Sequence, residues 1–159
     1  MSVPVPAPVR AARALAFLVP TGLLGGAYIS QYVFGLYPCE MCWWQRYPHF
    51  FALALAALAF ARAPVRPLVA VAALAILTSG LIGAFHAGVE LGWWEGVTSC
   101  ATTAAGGGNP LDAIMAAPVI RCDIVQFSFL GVSMAGWNFL ISTASALAIL
   151  FLIGFGRKA

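Results

Sequence analysis

Two closely spaced cysteines are the residues of this sequence best suited to chemistry. Cys39 and Cys42 enclose Glu40 and Met41 in a C-x-x-C spacing, and an apolar stretch begins directly afterwards at Trp43. A cysteine at the start of a helix lies near the positive end of the helix macrodipole, which favours the thiolate, although Glu40 opposes this modestly. The thiolate is the species that attacks a disulfide, so this spacing predicts thiol–disulfide chemistry.

Cys100 and Cys122 complete the set of four cysteines in the chain. Two structural disulfides that staple loops are one interpretation of the four. A four-cysteine zinc site is another, because Cys39 and Cys42 have the spacing of a zinc knuckle. The 21 residues between Cys100 and Cys122 weaken the zinc interpretation, since the second pair in such sites is normally also closely spaced.

Arg46 follows Cys42 by four residues and therefore shares its face of a helix, one turn deeper. An arginine that enters the boundary of an apolar core is costly unless it has a partner. A thiolate or the polar head of a ligand could be that partner. The alternative is an arginine that snorkels to the membrane interface.

Two histidines are further candidates for the site. His86 stands near the end of another apolar stretch, at nearly the depth of Arg46, where it could donate to a carbonyl oxygen or relay a proton. The alternative is a histidine hydrogen-bonded between packed helices. His49 follows Arg46 by three residues and shares its face, so it is a second candidate; its alternative is an interfacial polar contact behind Pro48.

The composition shows where these residues must be placed. Of the 159 residues 62% are apolar and 8% are charged, with a net charge of +3. This composition rules out a soluble globular domain, a disordered chain and a nucleic-acid binder. We predict one integral membrane domain, 1–159, with helical spans because lipid offers no partner to an unpaired backbone group. The predicted spans are 14–34, 43–60, 68–89 and 127–155, separated on the outer side by a short loop, 35–42, and a long loop, 90–126.

The charged residues predict the orientation of these spans. Six basic residues lie on one side with no acidic residue among them: Arg10, Arg13, Arg62, Arg66, Arg157 and Lys158. The five acidic residues lie on the other side: Glu40, Glu90, Glu95, Asp112 and Asp123. The positive-inside rule therefore places both termini in the cytoplasm. All four cysteines then fall in the outer loops, in an oxidising compartment.

The long loop has an organisation of its own. A flexible triglycine at 106–108 precedes Asn109-Pro110, which is typical of a helix N-cap followed by proline at the first helical position. Apolar residues follow at helical spacing: Leu111, Ile114, Met115 and Val119. We predict a short amphipathic helix on the outer surface of the bilayer, or one that packs on loop residues. Cys100 would then be able to meet a large partner, while Cys122 stays near the membrane.

Three groups of residues carry a resemblance to a known family. Residues 39–46 resemble the C-x-x-C-x-x-x-R signature of the disulfide bond formation protein B family, DsbB, the thiol oxidases of the bacterial inner membrane. The second group is 86–94 with Cys100, and the third is 121–123 with 129–138; the resemblance covers about 28–138. With the predicted spans, the expected fold is an all-α, four-transmembrane-helix bundle with a short and a long periplasmic loop, the long loop carrying the amphipathic helix.

The resemblance also implies a route for electrons. Cys100 would form a mixed disulfide with a periplasmic DsbA-like partner of thioredoxin fold, and Cys122 would be its disulfide mate. Electrons would pass to Cys39 by thiol–disulfide exchange, and Cys42 would face a bound quinone, either ubiquinone or menaquinone from the membrane pool.

For the quinone site, the resemblance implies Arg46, and His86 near the quinone ring. His49 has less family precedent and is held as a further candidate. Membrane lipid is the expected surrounding, and no nucleic-acid partner is expected.

Two competing functions remain open on the sequence. One is a non-enzymatic four-helix membrane protein whose loops are stapled by structural disulfides. The other is an enzyme with the opposite electron flow, like the vitamin K epoxide reductases, which share the helix number, the C-x-x-C and the use of quinone. The loop with Cys100 and Cys122 fits the DsbB pattern better.

Overall fold

Four long helices form the protein in a computed structural model, which describes residues 5–61, 64–97, 101–102 and 119–155. The helices are α1 (Ala7–Tyr32), α2 (Glu40–Ala61), α3 (Val65–Glu90) and α4 (Met134–Phe155). Within the described residues, α1, α3 and α4 are long and apolar enough to cross a membrane. A mainly helical protein is confirmed, whereas the count of four spans stays a prediction. The helix that falls short is α2, whose N-terminal half carries Gln45, Arg46 and His49.

Small residues let the helices approach closely. The buried core is rich in alanine on all four helices: Ala12, Ala16, Ala52, Ala56, Ala59, Ala72, Ala73 and Ala146. Where α3 meets α4, a Cβ atom added to Gly83 would lie 2.9 Å from the carbonyl oxygen of Ala135, and one added to Gly80 would lie 2.8 Å from Oγ1 of Thr143. Close approach of backbones through small residues is the usual way in which helices associate in membranes.

The two ends of the bundle differ in chemistry. At one end Arg13 of α1 donates a hydrogen bond to the carbonyl oxygen of Ala59 in α2 (3.3 Å), and its guanidinium lies 4.2 Å from the centre of the Phe60 ring. At the other end α2 begins just after Cys39, and α3 ends at Glu90. The basic start of α1 and the first cysteine pair therefore lie at opposite ends of the bundle.

The predicted fourth span was wrong at its start. Residues 127–133 do not continue α4; Ser128–Phe129 and Val132–Ser133 pair instead as antiparallel strands, β3 and β4. Both residues of the turn have positive φ, 53° at Leu130 and 77° at Gly131, as a tight two-residue hairpin requires. The helix begins only after Ser133, whose Oγ accepts a hydrogen bond from the N–H of Gly136 (3.1 Å) and so caps α4.

A second strand pair brings together two of the described parts of the long loop. Ala101–Thr102 (β1) and Val119–Ile120 (β2) are antiparallel, with Ala101 opposite Ile120. These short strands modify the all-α prediction only locally. The predicted amphipathic helix and the triglycine lie outside the described residues, as does Cys100.

The start of the long loop folds back onto α3. The indole of Trp94 stacks on Phe85 with ring centres 5.5 Å apart, and its Nε1–H donates to the carbonyl oxygen of Phe85 (2.9 Å). Any Cβ atom at Gly88 would overlap the Trp94 ring. Glycine at this position therefore allows the loop to cover the end of α3.

Candidate functional site

The C-x-x-C lies in the first turn of α2, where Cys39 is the N-cap residue. Its Sγ accepts a hydrogen bond from the N–H of Cys42 (3.3 Å), and its carbonyl oxygen accepts one from the N–H of Trp43 (3.2 Å). The two sulfur atoms are 2.9 Å apart. The hydrogen bond to the sulfur satisfies one of the free N–H groups at the start of α2.

The two thiols of the C-x-x-C differ in their surroundings. Cys39 is only 2% exposed, whereas Cys42 is partly exposed and lies on the wall of a cavity. The contact with the Cys42 side chain, together with burial, raises the pKa of the Cys39 thiol above its ordinary value. Of the two thiols, Cys42 is therefore the one that faces the cavity, and the buried Cys39 is the one whose ionisation is disfavoured.

Cys122 reaches the same cluster from the long loop. The sulfurs of Cys39 and Cys122 and a ring nitrogen of His86 all lie within 4.8 Å of one another. The neighbours Arg121 and Asp123 point outward and form a bidentate ion pair with each other, while Cys122 between them is buried. This ion pair lowers the pKa of the exposed Asp123 carboxyl. The structure therefore unites one cysteine of each predicted pair.

The proton on His86 can be assigned from a backbone carbonyl group. The side-chain nitrogen of Gln45 lies 3.1 Å from the carbonyl oxygen of Met41, which can only accept, so this atom is the amide donor. The same amide nitrogen lies 2.9 Å from Nδ1 of His86, which must then be the acceptor. Nε2 of His86 carries the proton and donates to the carbonyl oxygen of Cys122 (3.1 Å), with Sγ of Cys39 3.7 Å away.

This proton also bears on the zinc interpretation. Two sulfurs and an imidazole nitrogen at these distances resemble the donor set of a zinc site. A metal ligand must present an unprotonated nitrogen. The nitrogen of His86 nearest the sulfurs is Nε2, which in this arrangement donates to the carbonyl oxygen of Cys122, so the imidazole holds the Cys122 segment in place.

Arg46 is 6% exposed and is held by residues of α1 rather than by the interface. Its Nη1 donates to the side-chain oxygen of Gln31 (2.7 Å) and its Nη2 to the carbonyl oxygen of Ala27 (3.4 Å). The guanidinium also lies 4.9 Å from the ring centre of Tyr28 and 4.8 Å from that of Trp43. Because it is buried and fixed on both faces, Arg46 does not snorkel.

His49 lies deeper along α2, inside the bundle rather than at the interface. It is 3% exposed, and its Nε2 is 3.0 Å from the side-chain oxygen of Asn138 and 3.4 Å from Oγ of Ser142. Sequence reasoning missed Ser142 and Ser79 and gave Asn138 no chemical role. The signal for them was available, because polar side chains inside apolar spans are rare and usually functional.

One cavity of about 280 Å³ joins most of these residues. Five of the predicted site residues line it: Cys39, Cys42, Arg46, His49 and His86. Its wall also includes Gly22 and Gly26, which are exposed on the outer surface of α1 and have no atom near the place of a Cβ. A mainly apolar cavity with a few convergent polar groups is typical of a site for a small organic ligand.

A membrane helix bundle with a buried cluster of thiols defines the general class of this protein, a membrane-bound thiol–disulfide protein. Comparison with known families gives a more specific result. The family model described as Disulfide bond formation protein DsbB matches residues 9–152. No solved structure matches the chain.

Three curated relatives named Disulfide bond formation protein B agree with this match. The relative from Polaromonas sp. is 34% identical over 152 residues, covering 91% of this chain and 90% of the relative. Those from Verminephrobacter eiseniae and Marinobacter nauticus are 34% and 30% identical, covering 94% and 88% of this chain and 88% and 86% of the relatives. The chain belongs to the DsbB family of disulfide bond formation proteins, and the predicted resemblance is confirmed.

Proposed function

We propose that this protein oxidises the dithiol of a periplasmic DsbA-like protein of thioredoxin fold and passes the electrons to membrane quinone. The observation that carries the proposal is the position of Cys39, whose sulfur lies beside both Cys42 and Cys122. A structural staple needs one partner for each sulfur. A sulfur with two possible partners is what an exchange of disulfides needs.

The first steps of the relay take place between thiols and disulfides. A thiolate of the partner attacks Cys100 in a Cys100–Cys122 disulfide, which forms a mixed disulfide and releases Cys122 as a thiolate. Cys122 attacks Cys39 in a Cys39–Cys42 disulfide, which releases Cys42. The second thiol of the partner then displaces Cys100, and Cys100 re-forms its bond with Cys122 and releases Cys39. The partner has lost two electrons, and the Cys39–Cys42 dithiol has gained them.

The second stage takes place at the cavity. Quinone, as a two-electron acceptor, would reoxidise the Cys39–Cys42 dithiol and take up its two protons. Cys42 is on the cavity wall and in the right place to face the ring. Arg46 would bind it with a fixed positive charge, and His86 and His49, which line the same cavity, would form part of the wall around it. The Nε2–H of His86 additionally holds Cys122 against Cys39.

The proposed setting is the inner membrane of a bacterium, with both termini in the cytoplasm. The basic end of α1 lies against the last turn of α2, opposite the thiol cluster. The positive-inside rule would place this end in the cytoplasm and the cluster on the periplasmic side, where a soluble dithiol partner can reach it.

Trapping the mixed disulfide tests the order of the relay. A reduced partner that retains only its attacking cysteine cannot displace Cys100, so its mixed disulfide with Cys100 should accumulate on a non-reducing gel when the Cys100–Cys122 disulfide is intact. With Cys100→Ala no such species should form. With Cys42→Ala and a partner that retains both cysteines, the mixed disulfide should form and resolve while quinone is not reduced. Normal reoxidation of the partner by Cys100→Ala would overturn the assigned roles.

A further inference from the structure

The deep end of the cavity is built around His49, whose proton can also be assigned from a backbone carbonyl. The side-chain nitrogen of Asn138 lies 3.1 Å from the carbonyl oxygen of Ser79 and 2.8 Å from the side-chain oxygen of Gln45, so it is the donor of that amide. The amide oxygen of Asn138 therefore faces His49. Because this oxygen can only accept, Nε2 of His49 carries the proton.

This assignment leaves Nδ1 of His49 unprotonated, with a lone pair that can accept a hydrogen bond. The atom is buried and has no hydrogen-bond partner among the described residues, and His49 lines the cavity. A buried polar atom without a hydrogen-bond partner is destabilising. A ligand that brings a hydrogen-bond donor to this nitrogen recovers that free energy, whereas a ligand that brings an acceptor does not.

The two redox forms of the proposed ligand differ in this respect. A quinone carries carbonyl oxygens, which only accept hydrogen bonds. A quinol carries hydroxyl groups, which both donate and accept. Arg46, nearer the thiols, has only donors and suits either form. The bare acceptor on His49 suits the quinol alone.

We propose that His49 makes the cavity bind quinol in preference to quinone, and that Asn138 is the positioning residue that keeps Nδ1 of His49 unprotonated. The inference rests on the proposed function, since it takes quinone as the electron acceptor. A site that binds the reduced form more tightly makes the bound couple a stronger oxidant. A tenfold preference corresponds to about 30 mV for a two-electron couple, in the direction that favours oxidation of the Cys39–Cys42 dithiol.

Binding measurements separate this preference from turnover. In a Cys39→Ser/Cys42→Ser background the protein exchanges no electrons with the ligand, so affinities for decyl-ubiquinone and for its quinol can be measured one after the other. His49→Phe keeps the volume of the side chain but removes the acceptor. We expect quinol affinity to fall about tenfold, which corresponds to about 1.4 kcal/mol. Quinone affinity should change by less than about twofold.

Ser79→Ala is the matched control. It removes another polar contact of Asn138 (3.1 Å) at a side chain that is buried in the bundle. It leaves the contact between Asn138 and His49 in place, so we expect both affinities to stay unchanged. Equal losses of quinone and quinol affinity in His49→Phe would overturn the proposal, and so would a loss of preference in Ser79→Ala.

A measurement on the unaltered protein avoids any dependence on how variants fold. Nitrogen-15 NMR of histidine-labelled protein reports which ring nitrogen carries a proton. We expect Nε2 of His49 to be protonated and Nδ1 to be unprotonated; a protonated Nδ1 would overturn the inference. If neither redox form binds to the protein, the proposed function itself fails, whereas binding of both without preference refutes only the role of His49.

Discussion

Replacing Arg46 by lysine separates the charge of this side chain from its planar shape. Lysine keeps one positive charge but lacks the planar guanidinium. It therefore cannot make both hydrogen bonds, to Gln31 and Ala27, and both aromatic contacts, with Tyr28 and Trp43, at the same time. A hydrogen bond from a charged group contributes about 1.5–3 kcal/mol, and each cation–π contact about 0.5–2 kcal/mol. These contacts hold the guanidinium ready at the cavity, and a flexible ammonium must be ordered anew when a ligand binds.

The expected effect of Arg46→Lys follows from these magnitudes. If about 1.5–3 kcal/mol of this preorganisation is lost, the KM for quinone should rise by about 10- to 100-fold, since 1.4 kcal/mol is a factor of ten. The kcat at saturating quinone should change far less, because the cysteines are untouched. The assay is steady-state oxidation of a reduced DsbA-like partner at fixed concentration, with decyl-ubiquinone varied.

The chain offers a matched control for this substitution. Arg13 also donates to a backbone carbonyl and packs on an aromatic ring, but it lies at the opposite end of the bundle. Arg13→Lys should therefore leave the KM for quinone unchanged. An unchanged KM in Arg46→Lys, or an equal rise in both variants, would refute the assignment of Arg46 to the quinone site.

Three further predictions concern the thiols and the loops. The pKa of Cys39 is raised, so its thiolate should form only at a pH above the ordinary thiol pKa of about 8.5. Iodoacetamide should therefore modify Cys42 first in the reduced protein. Peptide mass spectrometry that shows equal labelling of both cysteines at neutral pH would contradict this. Gly88→Ala should displace Trp94 and lower the free energy of unfolding by about 1–3 kcal/mol, and equal thermal stability in detergent would count against the packing of this loop. Gly131→Val places a branched residue at φ 77° and should lower stability by about 1–3 kcal/mol, as thermal unfolding will show.

The parts of the site that depend on one helix could be predicted from the sequence. Cys42 and Arg46 are four residues apart, and this spacing alone places them on one face of α2. Burial of Arg46 against α1 could not be predicted in the same way. Its partner Gln31 stands near the end of α1, and the contact depends on how two helices are rotated about their axes.

The contacts between helices could not be predicted from the sequence for the same reason. Gln45, Ser79 and Asn138 come from three helices, and no spacing along the chain indicates that their polar groups meet. The start of α4 was predicted too early because hydropathy does not distinguish an apolar hairpin from the first turn of a span. Gly131, with its positive φ, was the local signal for the turn.

The position of Cys122 also had to come from the fold. The spacing of the cysteines was compatible with two disulfides that staple the loops, and exchange between the two pairs was implied by the resemblance alone. In the structure the donation from His86 to the carbonyl oxygen of Cys122 brings the loop to Cys39. A contact of this kind depends on the path of a loop, which the spacing of residues does not determine.

The central claim is that electrons travel from a partner dithiol through the cysteines to quinone. The most direct measurement mixes purified protein, a reduced DsbA-like partner and ubiquinone or menaquinone, and follows quinone reduction by absorbance together with the thiols of the partner. We predict that one quinone is reduced for each disulfide formed in the partner. A flat absorbance trace with intact cysteines and a partner that remains reduced would contradict the account.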